Sequence, residues 1–500
     1  MNITINIASI LNSANTNLKI KDYHIKEYIF YNSTYQIIKY DKNYLKQLET
    51  NIMNYLYSDE NNNKNEEVIK LIEKEYNELA LLRSVIVRNN QVVCFSPPKS
   101  LSFDHFIKKY PNLENKINES ETTETIETTK TSESKAVDYS VWGEDFIDGT
   151  MINVFFDAIN NVWEIATKST VGGNIVFFND VKNYKYFDDK NYFASHYDAT
   201  FRSMFFEACN SNNFNLNTLC TSYCYTFVMQ HPFNRIVTPI VNPLLYLVKI
   251  YKIDNSNINC VKINEVNIDN FVNSPPYVFL NTNVKFVRRY NVSDYNALKS
   301  YYINDKTPYY FVGTMLYSSD GHRSKIRNNN YETVRKLRGN QPKLQYNYLC
   351  LKQENKIKDF LTYYPEHNVM FNKFKILMYS YTNELLLNYI SCFVRKEKPL
   401  KEYEFQYKTH MYKLHEKFKN DLKPLNKTID KKFVIDYVNG LHPAQQMFIM
   451  NYKYNKNSSE TNNSETNNSE TNNSETNINS ETNINSETNI NSETNNMEMS

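Results

Sequence analysis

Half of the glycines in this chain fall between Gly143 and Gly173, and no other feature limits its fold so tightly. The sequence holds eight glycines in 500 residues, and Gly143, Gly149, Gly172 and Gly173 frame the stretch EDFIDGTMINVFFDAINNVWEIATKSTVGG. Ile147-Asp148-Gly149-Thr150 predicts a sharp reversal, and Met151 to Phe156 has the β-branched and aromatic content of a strand. Asp157 to Asn161 turns the chain back, and Trp163 to Lys168 alternates apolar and polar residues as a half-buried strand does. A chain so sparing of glycine needs it here for positive φ or for close approach of backbone to a ligand. A plain structural hairpin and a hairpin built around a site both fit this stretch alone.

The remaining composition bounds the surroundings of that hairpin. With 41% hydrophobic residues, the chain can bury a sizeable core, and its length suggests two or three domains. The formal charge of +2 announces no global field for nucleic acid or membrane, so any basic surface must be local. Seven scattered cysteines are too few for a disulfide framework and fit a reducing compartment. Cys220, Cys224 and His231 match no standard metal spacing and read better as buried groups. No apolar run spans a bilayer, and the first residues lack the basic start of a signal peptide, so the expectation is a soluble, intracellular protein without a membrane partner. The wealth of Asn, Lys, Ile and Tyr implies an AT-rich gene. That suits a large DNA virus, whose protein would sit in the cytoplasm of an infected host cell or in the virion.

Read in order, residues 1–80 form a helical or leader region, with helices expected over 44–57 and 65–80. Residues 81–350 carry the strands. Leu82 to Arg88 and Gln91 to Phe95 flank the turn dipeptide Asn89-Asn90, a hairpin signature, and Pro97-Pro98 then force an extended exit that fixes Lys99. Residues 115–137, rich in Ser, Thr and Glu, are expected to be a disordered insertion. A helix over 200–208 and strands at 225–230, 244–253 and 309–317 come next. Asp320-Gly321 turns into His322-Arg323-Ser324-Lys325-Ile326-Arg327, whose alternation points Arg323, Lys325 and Arg327 to one side. A solvated face and a phosphate contact both explain such a cluster. Residues 351–453 form an all-α module, and the SETNN repeats of 454–500 a disordered tail.

Together the segments from about Arg83 to Arg327 resemble the covalent nucleotidyltransferases, and within them the phage RNA ligases. Arg83-Ser84-Val85-Ile86-Val87 and Ser96-Pro97-Pro98-Lys99 are similar to the strands and proline-lysine exit that precede the nucleotide pocket. Phe146-Ile147-Asp148-Gly149-Thr150 is similar to the first motif, Lys-x-Asp-Gly-Ser, and Ala166-Thr167-Lys168-Ser169 to Thr-Lys-Gly-Ser. Phe227 to Val237 resembles the third motif, Val312-Gly313 stands where the fourth has Glu-Gly, and Ser324 to Arg327 where the fifth has its lysine strand. The resemblance implies an α+β fold: an antiparallel-rich, ATP-grasp-like nucleotidyltransferase domain followed by the helical module and the tail.

The departures are chemical. In the family the first-motif lysine attacks the α-phosphate of ATP, and here that position is Phe146. Val228 and Val312 replace the glutamates that contact the nucleotide sugar and the Mg²⁺ ion. Neither Lys135 nor Lys168 is a natural substitute for the nucleophile. Asp148, Gly149, Lys168, Arg235, Lys325 and Arg327 remain as nucleotide- or phosphate-binding candidates, with no catalytic or metal residue. The expectation is a catalytically defective fold that binds nucleotide or RNA. An ATP- and Mg²⁺-dependent ligase with a divergent site, and a non-enzymatic viral interaction protein, are the alternatives.

Overall fold

The computed structural model describes residues 2–15, 22–57, 66–111, 140–176 and 199–452. The expected disordered insertion over 115–137 and the tail over 454–500 lie outside the described residues.

The strands run β1 Asn2–Ile5, β2 Tyr23–Phe30, β3 Ser33–Tyr40, β4 Val85–Arg88, β5 Gln91–Phe95, β6 Val141–Asp145, β7 Thr150–Asp157 and β8 Val162–Ala166. They continue with β9 Tyr223–Gln230, β10 Leu244–Asp254, β11 Val261–Glu265, β12 Lys285–Phe286, β13 Arg289–Asn291, β14 Gly313–Ser318 and β15 Arg323–Arg327. Three sheets result. The largest is ordered β1-β11-β10-β9-β7-β8 with β12 beside β10; the others are β13-β6-β14-β15 and β2-β3-β4-β5. Apart from the parallel β10–β12 contact, the pairings are antiparallel. The fold is therefore mixed α and β with antiparallel sheets, and its C-terminal region is helical.

The expected hairpins are present. Asn89 and Asn90 both have positive φ, 48° and 62°, as a tight two-residue turn demands. The expectation of a helical or leader region at the N-terminus needs correction. Residues 2–5 and 23–40 are strands, with Ile3 opposite Ile263 and Ile37 opposite Ile86, so residues 1–80 share sheets with strands from beyond residue 80. The β2–β3 turn uses Tyr31 and Asn32 at φ 44° and 59°, the same device as Asn89-Asn90. Its sequence signal is weaker because tyrosine rarely takes positive φ. The expected N-terminal helices occur at Lys42–Tyr57 and Glu66–Leu81.

The large sheet is buried on both faces. Ile152, Val154, Ile165, Phe227 and Leu247 pack under the helix Phe201–Ser211. On the other face the β2-β3-β4-β5 sheet docks through a buried ion pair of Arg88 with Asp157, whose carboxylate also accepts from the Tyr35 hydroxyl at 2.6 Å. The helical region includes Leu344–Gln353, Ile357–Tyr363, Asn368–Tyr389, Phe405–Lys417, Lys431–Asn439 and 443–452. Its core takes in Val237, Val312 and Tyr331, so it packs against the strand-bearing part. No helix among the described residues is long and apolar enough to cross a membrane.

Candidate functional site

The face of the β13-β6-β14-β15 sheet turned toward the large sheet carries three cross-strand rows. Register places Arg323 opposite Tyr317 and Tyr317 opposite Trp142; Lys325 lies opposite Met315, and Met315 opposite Glu144. Arg327 lies opposite Gly313, whose carbonyl accepts from the Phe146 amide. Directly paired antiparallel residues share a face. Tyr317, Met315, Glu144, Phe146 and all three cations of β15 therefore line one cleft of about 450 Å³, opposite Met151, Val228, Val248 and Lys249 of the large sheet.

Lys249 reaches this cleft because β10 is irregular. The register slips between Leu247 and Lys249, and an extra residue in one strand sends two neighbours to the same side. Val248 and Lys249 consequently both face the cleft, while Leu247 and Ile250 stay in the opposite core. The end of the cleft is closed by the strap after the prolines. Its Lys99 amide bonds the Ala80 carbonyl at 2.9 Å and its Leu101 amide the Arg323 carbonyl at 2.8 Å, which fastens the strap along β15.

Seven cationic side chains line the cleft, Arg83, Lys99, Lys168, Lys249, Arg323, Lys325 and Arg327, against the three carboxylates of Glu49, Glu144 and Asp145. Three of the cations are paired: Lys99 with Glu49 at 2.9 Å, Lys249 with Glu265 at 2.8 Å and Glu144 at 3.7 Å, and Arg327 with Glu332 at 2.5 Å. Arg83, Lys168, Arg323 and Lys325 have no carboxylate partner among the described residues. Arg83 and Arg323 both donate to the Pro97 carbonyl, at 3.4 and 3.2 Å.

These four groups crowd each other. The Lys325 tip opens into the cleft, yet loss of water from the cleft walls, then Arg327, Arg323, Arg83 and Lys99, bring its pKa down to about 8. Burial and then Arg323 lower Arg83 to about 10. Burial, followed by Arg83, Lys39 and Lys42, also lowers Lys168. Like charges held together at low dielectric repel, and an anion placed among them would relieve that repulsion. Lys249 is the opposite case, since Tyr317, Glu265 and Glu144 outweigh the burial that would lower its pKa and raise it instead.

The six candidates from the sequence separate into two groups. Lys168, Lys325 and Arg327 meet in the cleft. Arg235 does not: its guanidinium donates to the Val237 and Tyr363 carbonyls, pairs with Glu366 at 2.7 Å and lies over the Tyr364 ring, joining the strands to the helical region. Asp148 is buried, and its carboxylate accepts from the Val237 and Thr238 amides at 3.0 and 2.9 Å and from the Tyr331 hydroxyl at 2.7 Å. It anchors the turn. Gly149 has φ 144°, and a Cβ there would stand 2.5 Å from the Met229 carbonyl oxygen, so the reversal rests directly on β9. Glu164, the other carboxylate near these cations in sequence, pairs with Arg202 at 2.8 Å.

Arg323 and Lys249 are cleft residues that sequence reasoning did not assign. Arg323 shares the alternation of Lys325 and Arg327, so its signal was present. Lys249 sits behind a bulge that no residue pattern announces. The Phe146 ring, where the resemblance would have the first-motif lysine, lies under the Arg327 guanidinium, 5.6 Å from its centroid. Val228 lines the cleft, and Val312 is buried in the helical region's core.

No family model matches the chain. Over 110 residues it is 30% identical to an RNA ligase of Rhodothermus phage RM378, a match covering 22% of this chain and 22% of that protein. The chain thus spans about a fifth of the relative it matches. Across that segment, the relationship is RNA ligase-like.

Proposed function

We propose that this is an RNA ligase-like, nucleotidyltransferase-fold protein that holds a nucleotide or a phosphorylated RNA end in the cleft without forming a lysyl-nucleotide. The observation that carries this reading is the set of four cations without carboxylate partners among the described residues, Arg83, Lys168, Arg323 and Lys325, in a cleft whose other cations are paired. Charge-assisted bonds from such groups suit phosphate oxygens. Phe146 offers no amine for attack on phosphorus.

A Mg²⁺ ion does not fit the donors present. Glu49 and Glu144 are engaged by lysines, Asp145 pairs with Arg288 at 3.3 Å, and no group of three His, Cys, Asp or Glu side chains among the described residues could hold a metal. Phosphate charge would therefore be met by Lys and Arg alone. A second reading, an active ligase with a divergent nucleophile, draws on Lys325, whose pKa near 8 leaves an amine partly free at neutral pH.

Incubation with α-labelled ATP or GTP and Mg²⁺, followed by denaturing electrophoresis, separates the two. The expected result is binding without a covalent adduct. An adduct lost in Lys325→Arg would overturn the binding-only reading. Phe146→Lys should not restore transfer, because Val228 and Val312 still leave the sugar and metal without carboxylates.

A further inference from the structure

Beside the cleft lies a second hollow of about 460 Å³. Its lining includes Trp142, Glu144, Arg289 and Tyr317, which belong to the same cross-strand rows as the cleft floor, because Arg289 lies opposite Glu144 and Tyr317 opposite Trp142. The two spaces therefore sit side by side on one sheet face. They share Glu144, Lys249, Val287 and Tyr317 as a dividing wall.

The two sides of that wall differ chemically. On the cleft side stand cations without carboxylate partners. On the far side is a stacked column: Trp142 and Tyr317 lie nearly parallel, 14° apart with centroids at 5.8 Å, Arg289 covers Trp142 at 3.7 Å and Lys249 covers Tyr317 at 3.9 Å. Phe286 lines the hollow with 39% of its surface open. Arg289 has no carboxylate partner among the described residues. Glu265 and Asn267 add hydrogen-bonding groups. Lys249 is held between Glu144 and Glu265, so the wall offers a crossing strand no free cation, and its phosphates would be held from the two sides, by the cleft cations and by Arg289.

We infer that the hollow receives the base of the nucleotide next to a terminal phosphate, so that a single-stranded oligonucleotide, and not a mononucleotide alone, is the ligand of this face. The inference rests on the phosphate-binding reading of the cleft. A mononucleotide that places its phosphate among Arg83, Arg323 and Lys325 has no second base for the aromatic hollow; an oligonucleotide fills both spaces. An acidic peptide would leave Phe286 and Arg289 of the hollow without a flat partner, whereas a base supplies one while its phosphate stays among the cleft cations. Aromatic and arginine surfaces accept any base face, so binding should be tolerant of sequence.

The test compares AMP with 5′-phosphorylated tetranucleotides of RNA and of DNA, using the full chain. Arg289→Ala and Phe286→Ala should each weaken a tetranucleotide by about tenfold while leaving AMP within about twofold, the range expected for one lost stacking or cation contact. A loss with the RNA probe, the DNA probe or both supports the hollow as a base site. No loss with either, or an equal loss for AMP, overturns it. Lys325→Ala should weaken AMP and tetranucleotides alike, and if it changes neither, the phosphate-binding reading fails irrespective of Arg289. As a measurement that does not depend on variant folding, 5-iodouridine at the second position should cross-link to the segment 285–289 or to Trp142. Cross-links confined to the helical region would place the strand elsewhere.

Discussion

The seam around Asp157 and the cleft around Lys325 are both built from basic side chains packed between sheets, yet they are opposite in electrostatic design. At the seam, Arg88 is buried with its own carboxylate, and Tyr35 and Ser33 complete the network. In the cleft, Lys325 faces Arg327, Arg323, Arg83 and Lys99, with no carboxylate of its own among the described residues. A buried cation that carries its counter-charge within the fold serves the fold. An open cation left to neighbours of like sign, as Lys325 is, favours an anion from outside the fold.

The comparison breaks most visibly if the seam is cut. Asp157→Ala, which strands the Arg88 guanidinium and the Tyr35 hydroxyl, should cost about 3–5 kcal/mol, read as a lowered urea midpoint. Arg235→Ala sharpens the contrast from within the sequence-derived candidates. Removing its bonds to the Val237 and Tyr363 carbonyls should cost about 1.5–3 kcal/mol and leave oligonucleotide affinity at moderate salt unchanged, since Arg235 lies outside the cleft. For Lys325→Ala the pattern reverses. Affinity should fall about tenfold, with a shallower salt dependence, while stability stays within about 0.5 kcal/mol of the parent chain.

Titration gives a smaller and more specific effect. Lys325 has a folded-state pKa of about 8, below the ordinary lysine value of 10.5, so between those values the unfolded chain holds the extra proton and stability rises with pH. Phosphate affinity runs the other way, falling as pH passes through about 8, and Lys325→Arg should flatten that fall. A calorimetric titration on either side of pH 8 checks the second sign, because binding should take up protons near that value, and urea midpoints followed upward from there check the first. Smallest of all, Lys70→Ala removes an exposed helical pair with Glu66 and should change stability by no more than about 0.5 kcal/mol.

Local signals in the sequence were sufficient for hairpins and helices. The Asn89-Asn90 turn, the alternation after Gly149 and the three-and-four spacing of the helical region each state their structure within a few residues. The β2–β3 hairpin escaped because tyrosine occupies a turn position where glycine or asparagine would have marked it. In the site, the alternation of β15 correctly grouped Lys325 with Arg327, but residue type alone could not separate Arg235 from them. Its partners, Glu366 and Tyr363, lie more than a hundred residues away. Asp148 illustrates the same limit. An Asp-Gly turn looks alike whether its carboxylate faces a ligand or, as here, two backbone amides and a tyrosine.

The slip in β10 is confined to Val248, since Leu247 pairs with Phe227 and Lys249 with the next residue of β9, Thr226. Deleting Val248 would restore strict alternation while leaving Leu247 and Ile250 in the oily layer beneath the helix and the charge at position 249 over Tyr317. A residue inserted after Lys249 would do the reverse, turning Ile250 and the strand beyond it to the wrong side. Related chains could thus lose the extra residue and keep the wall, but could not gain one beyond it.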